Sequence, residues 1–161
     1  MNRCLVTCLS LLFLIGCGFP VAVKQERFCA RSYSQEKLRE SPELLRAEQK
    51  RMVMKQIYDK GMAVRIILDP RPPQVIIPAA YKSTSTRSII LEYGSPAVMV
   101  KPIIDLQICS DGLSATLSFS GRNALTFIPW NSVFAIYDKD QTLGTEWQED
   151  VPADLQQTTA N

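Results

Sequence analysis

The segment 113–137 constrains this chain most, because its alternating side chains and turn signals leave few folds open. Apolar residues occupy every second position of 113–120, which is typical of a strand with one buried face. The small and polar residues 121–123 then predict a hairpin turn. A second strand ends before Pro129, which cannot donate to a ladder, and the apolar run 133–137 predicts a third. The segment is therefore predicted to form a β-meander core.

A helix is predicted upstream of this core. Ser41 can cap the free amide groups of its first turn, Pro42 suits its first position, and Gly61 is a typical residue after its end. Its apolar residues cover more surface than one sheet face needs. Two arrangements therefore remain open for the helix: packing on its own sheet alone, or pairing in part with a second copy of the chain.

The remaining predicted strands are short and bounded by proline, glycine or aspartate. They cover residues 63–68, 75–77, 88–93 and 104–109. Seven short strands at this spacing, preceded by one helix, predict an α+β fold built on a small β-barrel or a two-sheet β-sandwich.

Catalysis is not predicted for this chain. Its 161 residues include no histidine, which removes the commonest general base and metal ligand. Asp105 lies on the polar face of a predicted strand and Asp111 in an Asp-Gly turn, so each has a structural reason to be acidic. No phosphate-binding, dinucleotide-binding or nucleophile motif occurs. The sequence thus predicts a protein that is not an enzyme, with no cofactor and no metal site.

The two ends of the chain are predicted to lie outside the domain, which spans 41–148. Residues 1–17 resemble a secretory signal that ends in a lipobox, with Cys17 as the lipidated residue. The alternative is an over-extended gene start. Residues 18–40 show no periodicity and are interpreted as a linker, and residues 149–161 as a flexible tail.

Charge and cysteine usage add two constraints. Residues 1–62 carry 11 Lys+Arg against 6 Asp+Glu, whereas 63–161 carry 7 against 10, so the helical front is basic and the β part mildly acidic. A net charge of +2 does not indicate nucleic-acid binding.

Cys109 is interpreted as a small apolar filler, and a disulfide with Cys29 would have meaning only in an oxidising compartment.

Edge strands, a hydroxyl-rich strand face and Arg122 near a hairpin turn together favour peptide binding, because extended peptides bind at sheet surfaces. Some aromatic residues either line pockets for such a peptide or belong to the core, and the sequence leaves both open. They are Phe119, Phe127, Trp130 and Trp147.

The order and spacing of several short pieces resemble the bacterial stringent starvation protein B family. These pieces lie within residues 42–148 and comprise 42–47, 66–69, 75–78 with Tyr81, 88–91, 97–98, 119–121, 128–129, 133–137 and Gly144. The family consists of adaptors that deliver tagged substrates to the ClpXP protease. The resemblance implies a homodimer formed through helix 41–60 and an Sm-like β-barrel whose groove holds the ssrA degradation tag.

By position, the resemblance assigns a set of residues to that groove. They are Tyr81, Thr116, Ser118, Phe119, Ser120, Gly121 and Arg122. The implied partners are ssrA-tagged polypeptides and the ClpX ATPase, in the cytoplasm. Three features depart from the family. Ser118 replaces the usual arginine, for which Arg122 is a candidate substitute. The helix is about five residues longer before the first strand than is usual, and 151–161 lacks the acidic tail with its ClpX-docking end.

The alternative function is that of an envelope lipoprotein that uses the same domain for another peptide or a structural contact. Lipidation at Cys17 would place the domain on the other side of the inner membrane from ClpX. The two functions therefore exclude each other for one molecule.

Overall fold

A computed structural model describes residues 33–83, 85–94, 103 and 105–156. The predicted signal segment and lipobox, with Cys17, lie outside the described residues. Within the described ranges, no helix is long and apolar enough to cross a membrane.

In the described residues, three α-helices and seven strands form the fold. The helices are α1 (Gln35–Glu40), α2 (Pro42–Asp59) and α3 (Ala153–Gln156). The strands are β1 (Val64–Leu68), β2 (Ile89–Tyr93), β3 (Gln107–Ile108), β4 (Gly112–Phe119), β5 (Arg122–Pro129), β6 (Val133–Asp138) and β7 (Gly144–Glu146). The α+β class predicted from the sequence is confirmed.

Helix α2 begins and ends where its sequence signals predict. The Ser41 hydroxyl accepts a hydrogen bond from the Leu44 amide at 3.3 Å, and Pro42 is the first helical residue. Gly61 has a φ of 78°, the left-handed conformation that glycine adopts without strain, and its amide donates to Tyr58. The end of the predicted linker, in contrast, is helical: α1 begins after Ser34, which caps it.

Two antiparallel sheets lie under α2. The first has the strand order β2-β1-β6-β7 and the second the order β3-β4-β5. Apolar residues from both sheets and from the inner side of α2 form one continuous core. Its fully buried members include Met54, Ile57, Val64, Ile66, Leu68, Val75, Tyr93, Leu113, Ile128, Trp130 and Ile136.

The described strands form no closed barrel, so the sandwich form of the prediction is the one observed. Residues 75–77 make only an isolated bridge, between Ile76 and Phe127, because Pro78 follows and cannot donate to a ladder. Of the predicted strand 104–109, only β3 is paired. The short exposed strand β7 was not predicted, since three residues carry no readable alternation.

Residues 149–156 of the predicted tail form helical turns that contact the rest of the domain. A short 3-10 helix, Gln148–Asp150, is followed by α3, and carboxylates in both form ion pairs with distant cations. Asp150 reaches α2, and Asp154 reaches Arg71 and Arg87. These partners are 67 or more positions away in the chain, which is why composition alone suggested a solvated end.

Candidate functional site

The hairpin that joins β4 to β5 turns on Ser120 and Gly121. Both residues have positive φ, 49° and 81°, and they form the two-residue loop whose twist matches that of the strands. Phe119 pairs with Arg122 across the loop. The predicted turn at 121–123 was therefore wrong: Arg122 and Asn123 are the first residues of β5. Ser120 takes the left-handed conformation that a glycine or asparagine was expected to take.

An aromatic and hydroxyl cluster lies beside this turn. The rings of Tyr81 and Phe119 have centroids 5.0 Å apart at an angle of 49°, and both residues are half-buried. The Tyr81 and Ser120 hydroxyl oxygens are 3.0 Å apart. Pro78 ends the extended segment before it, and the 3-10 turn Ala79–Tyr81 then places Tyr81 against the hairpin. A residue 38 positions before Phe119 is thus held at the hairpin end by packing and by a hydrogen bond.

Thr116 has a structural partner in Asp105. The Thr116 amide donates to the Asp105 carboxylate at 3.0 Å, and the Thr116 hydroxyl donates to the other carboxylate oxygen. Asp105 thereby provides a hydrogen-bond partner for the Thr116 amide at the edge of β4, at a position that β3 does not reach. This contact accounts for Asp105 without catalysis, and it makes the Thr116 hydroxyl less accessible to a ligand than the sequence suggested.

Ser118 and Arg122 lie on opposite faces of the hairpin. Ser118 is opposite Asn123, and Arg122 is opposite Phe119, so alternation places the Arg122 side chain on the same face as Phe119. Both residues are exposed, and Arg122 forms no ion pair with the residues that the structure describes. Arg122 therefore supplies the positive charge that an arginine at position 118 would carry, but its side chain lies on the opposite face of the hairpin.

The predicted site residues thus divide into two groups. One group lies together at the exposed end of the hairpin, and Thr116 alone lies further along β4, next to Asp105. The group at the hairpin end comprises Tyr81, Ser118, Phe119, Ser120, Gly121 and Arg122. Phe127, Trp130 and Trp147 are buried, so these three aromatic residues belong to the core.

A second concave feature, which the sequence did not indicate, is a cleft of about 380 Å³ between α2 and the end of β5. At its base lies Lys50, which is only 1% exposed. The Lys50 ammonium donates to the Asp150 carboxylate at 2.6 Å and to the Trp130 carbonyl at 2.9 Å. It also lies 5.4 Å from the centroid of the Trp147 ring.

Three charged side chains of this cleft, Arg46, Lys50 and Asp150, satisfy one another. Asp150 accepts from Arg46 as well as from Lys50, so both cations share one carboxylate. Burial lowers the pKa of Lys50, and the hydrogen bond and charge of Asp150 oppose that effect. This pattern is that of an ion-pair cluster that fixes the tail to the helix. Sequence reasoning missed it because Lys50 is one of several lysines and arginines in α2.

The lowered pKa of Lys50 predicts a specific dependence of stability on pH. Between its folded pKa and the ordinary pKa of lysine, the unfolded chain binds more protons at this position than the folded chain does. The free energy of unfolding therefore rises with pH in that window. Below the window, the folded state bears the full cost of keeping the buried Lys50 side chain charged. We expect this rise to disappear in a Lys50→Met variant. Urea denaturation of both proteins between about pH 8 and pH 11 checks the difference curve.

Cys109 is buried, as predicted, but it is disulfide-bonded and not a free thiol. Its partner cysteine lies outside the described residues. The Cys109 carbonyl accepts a hydrogen bond from the indole of Trp130 at 2.9 Å. The residue thus joins the core both covalently and by hydrogen bonding, which the interpretation as an apolar filler did not include.

These features define a class: a small α+β domain with an aromatic and hydroxyl cluster at one hairpin end, and with the buried charge of Lys50 paired. The chain belongs to the stringent starvation protein B family, whose model matches residues 39–161. The family assignment made from the sequence is therefore confirmed. No curated protein matches this chain. The family is one of adaptors, generally not enzymes, and membership is consistent with a role in delivery to ClpXP.

Proposed function

We propose that this protein is an adaptor that binds ssrA-type degradation tags at the end of the β4–β5 hairpin and delivers tagged proteins to ClpXP. The observation that carries the proposal is the cluster of half-buried Tyr81 and Phe119 with exposed Ser120, beside Arg122, an exposed cation with no ion pair to any described residue. The cluster offers a peptide an aromatic surface, hydroxyl groups and one positive charge. It lies within the residues matched by the family model.

The chemistry of this surface suits binding better than catalysis. Among the described residues, no group of three or more Cys, Asp or Glu could hold a metal ion. The Asp105 carboxylate accepts a hydrogen bond from the Thr116 amide at the edge of β4 and so has a structural role. A peptide, in contrast, needs only a flat apolar contact, hydrogen-bonding groups and a complementary charge.

A homodimer through α2 is part of the proposal. Leu45 and Met52 are exposed by 46% and 60%, and they are separated by seven residues, about two helical turns, so they lie on one side of the helix. The core does not use this side, which supports pairing with a second copy. A cytoplasmic location, a docking contact with ClpX and an Sm-like relationship of the two sheets also belong to this proposal.

Reversing the charge at Arg122 provides the first test. We expect Arg122→Glu to weaken the binding of an acidic tag peptide by about tenfold at low salt, because it replaces the cation by an anion at the rim of the site. Added salt should reduce the difference. Fluorescence anisotropy with a labelled ssrA-type peptide measures both effects.

A matched control is Arg39→Glu, the same substitution at an exposed arginine of α1. It changes the net charge equally, so it reports the general electrostatic effect. Equal losses in the two variants would show that Arg122 has no specific role. Unchanged affinity in Arg122→Glu would remove Arg122 from the site.

One observation favours the second candidate function, that of an envelope lipoprotein. Cys109 is disulfide-bonded, and disulfides persist in oxidising compartments more readily than in the cytoplasm. The intact mass and the N-terminus of the protein from its own cells, together with fractionation, decide between the two. A lipidated species that begins at Cys17 excludes the adaptor role, whereas an unlipidated species without the disulfide excludes the lipoprotein.

A further inference from the structure

The edge of β5 that faces away from β4 is unusual, because another segment of the chain pairs with only part of it. Ile76 and Phe127 exchange both backbone hydrogen bonds, at 2.8 Å and 3.0 Å. In an antiparallel pair, the backbone groups of alternate residues point to the same side. Since the groups of Phe127 point away from β4, those of Leu125 and Asn123 do so as well. The register agrees, because Phe119 and Arg122 flank a two-residue loop and so form a hydrogen-bonded pair, and alternation then leaves Asn123, Leu125 and Phe127 as the residues that face away from β4.

Pro78 explains why the pairing stops. The segment that contains Ile76 runs antiparallel to β5, so Pro78 would be the residue opposite Leu125. Proline has no amide hydrogen, and the chain turns here into the 3-10 helix Ala79–Tyr81. Of the residues that the structure describes, none hydrogen-bonds to the backbone of Leu125 or Asn123 at this edge. Within the described part of the chain, the outward N–H and C=O groups of both residues are therefore unpaired.

We propose that the tag peptide binds here as an added strand, along Asn123 and Leu125, in the place that the chain leaves at Pro78. This inference rests on the proposed function and specifies how the peptide is held. An unpaired strand edge is a template for an extended segment, which then gains affinity from main-chain hydrogen bonds.

The surroundings of the edge select the occupant. Ile76, which is 44% exposed, provides an apolar contact at one end, and the exposed cation of Arg122 lies at the other. The occupant that fits is an extended peptide without proline at its pairing positions, with an apolar residue at one end and an acidic residue at the other. A second copy of this chain fits less well, because it would bring two Arg122 side chains to the same edge.

The protein side of this contact is tested with Asn123→Pro. Proline removes the outward amide at a position where no ladder bond to β4 is lost, and strand edges tolerate it. We expect the variant to fold and to bind a labelled ssrA-type peptide about tenfold more weakly. Asn123→Ala keeps the backbone amide and should bind within about twofold of the wild type. Equal binding by all three proteins would overturn the proposal, as would an equal loss in both variants.

The peptide side is tested on the wild-type protein, so the result does not depend on the folding of a variant. A set of tag peptides, each with one N-methylated amide, is titrated by anisotropy. Strand addition predicts alternation: methylation at every second position within the paired stretch lowers affinity by about tenfold or more, and methylation between these positions has little effect. Losses without alternation would overturn strand addition. Evidence that the β5 edges of two copies of the chain pair with each other would overturn it as well.

These outcomes are separable from failure of the proposed function. If the unmodified peptide does not bind the wild-type protein, both the proposed function and this inference fail. If it binds without alternation and without sensitivity to Asn123→Pro, only the strand-addition mode fails.

Discussion

Replacing Asp150 with alanine is expected to lower the free energy of unfolding by about 3 kcal/mol, because it leaves the buried ammonium of Lys50 without a counter-charge. The Trp130 carbonyl and the Trp147 ring remain as partners, but neither carries a full negative charge. Arg46 loses the same carboxylate at less cost, since a quarter of its side chain is exposed. Urea denaturation at neutral pH measures the change.

Asp154→Ala provides the matched control within the same tail. Asp154 is 42% exposed, and its partner Arg71 keeps a second carboxylate, that of Asp69. Pairs this exposed contribute little to stability, so only a small loss is expected. In a Lys50→Met background, Asp150→Ala should cost far less than in the wild type, since no buried charge remains to be left unpaired. Similar losses for Asp150→Ala and Asp154→Ala would show that Lys50 is hydrated in solution.

The sequence was sufficient wherever a local signal determines local structure. Ser41 and Gly61 mark the ends of α2 because capping depends on neighbouring amides and on backbone conformation. The alternation in 113–120 correctly predicted β4 for the same reason. The turn was misplaced because Ser120, a residue that rarely has positive φ, shares the loop with Gly121.

The sequence was insufficient wherever contacts join distant positions. The Asp150 carboxylate meets Lys50 across 100 positions, and nothing in an acidic tail reveals which cation it will reach. Ser114 illustrates the same limit. It belongs to the polar side of the alternation, yet it is fully buried, because other parts of the chain cover that face. For the candidate site, the family resemblance supplied the positions, but only the register showed that Ser118 and Arg122 face opposite sides.

Trp130→Ala is expected to lower the free energy of unfolding by about 4 kcal/mol, the cost of a large cavity in a packed core. Trp130 is 1% exposed, and its indole nitrogen donates to the Cys109 carbonyl. The sequence left two roles open for this residue, core packing and a peptide pocket. Trp130 follows Pro129, the last residue of β5, which lies about 23 Å along the strand from Arg122 at the hairpin turn. The distance favours the core.

Trp130→Phe separates the two roles, because phenylalanine fills most of the cavity and removes only the hydrogen bond. We expect this variant to lose about 1.5 kcal/mol of stability, mostly from the unsatisfied carbonyl, and to bind the tag peptide within about twofold of the wild type. Anisotropy and urea denaturation on the same preparations give both values. A tenfold loss of peptide affinity with near-normal stability would contradict this assignment. It would move the binding site from the hairpin end to the region around Trp130, where the cleft beside Lys50 would become the surface to test.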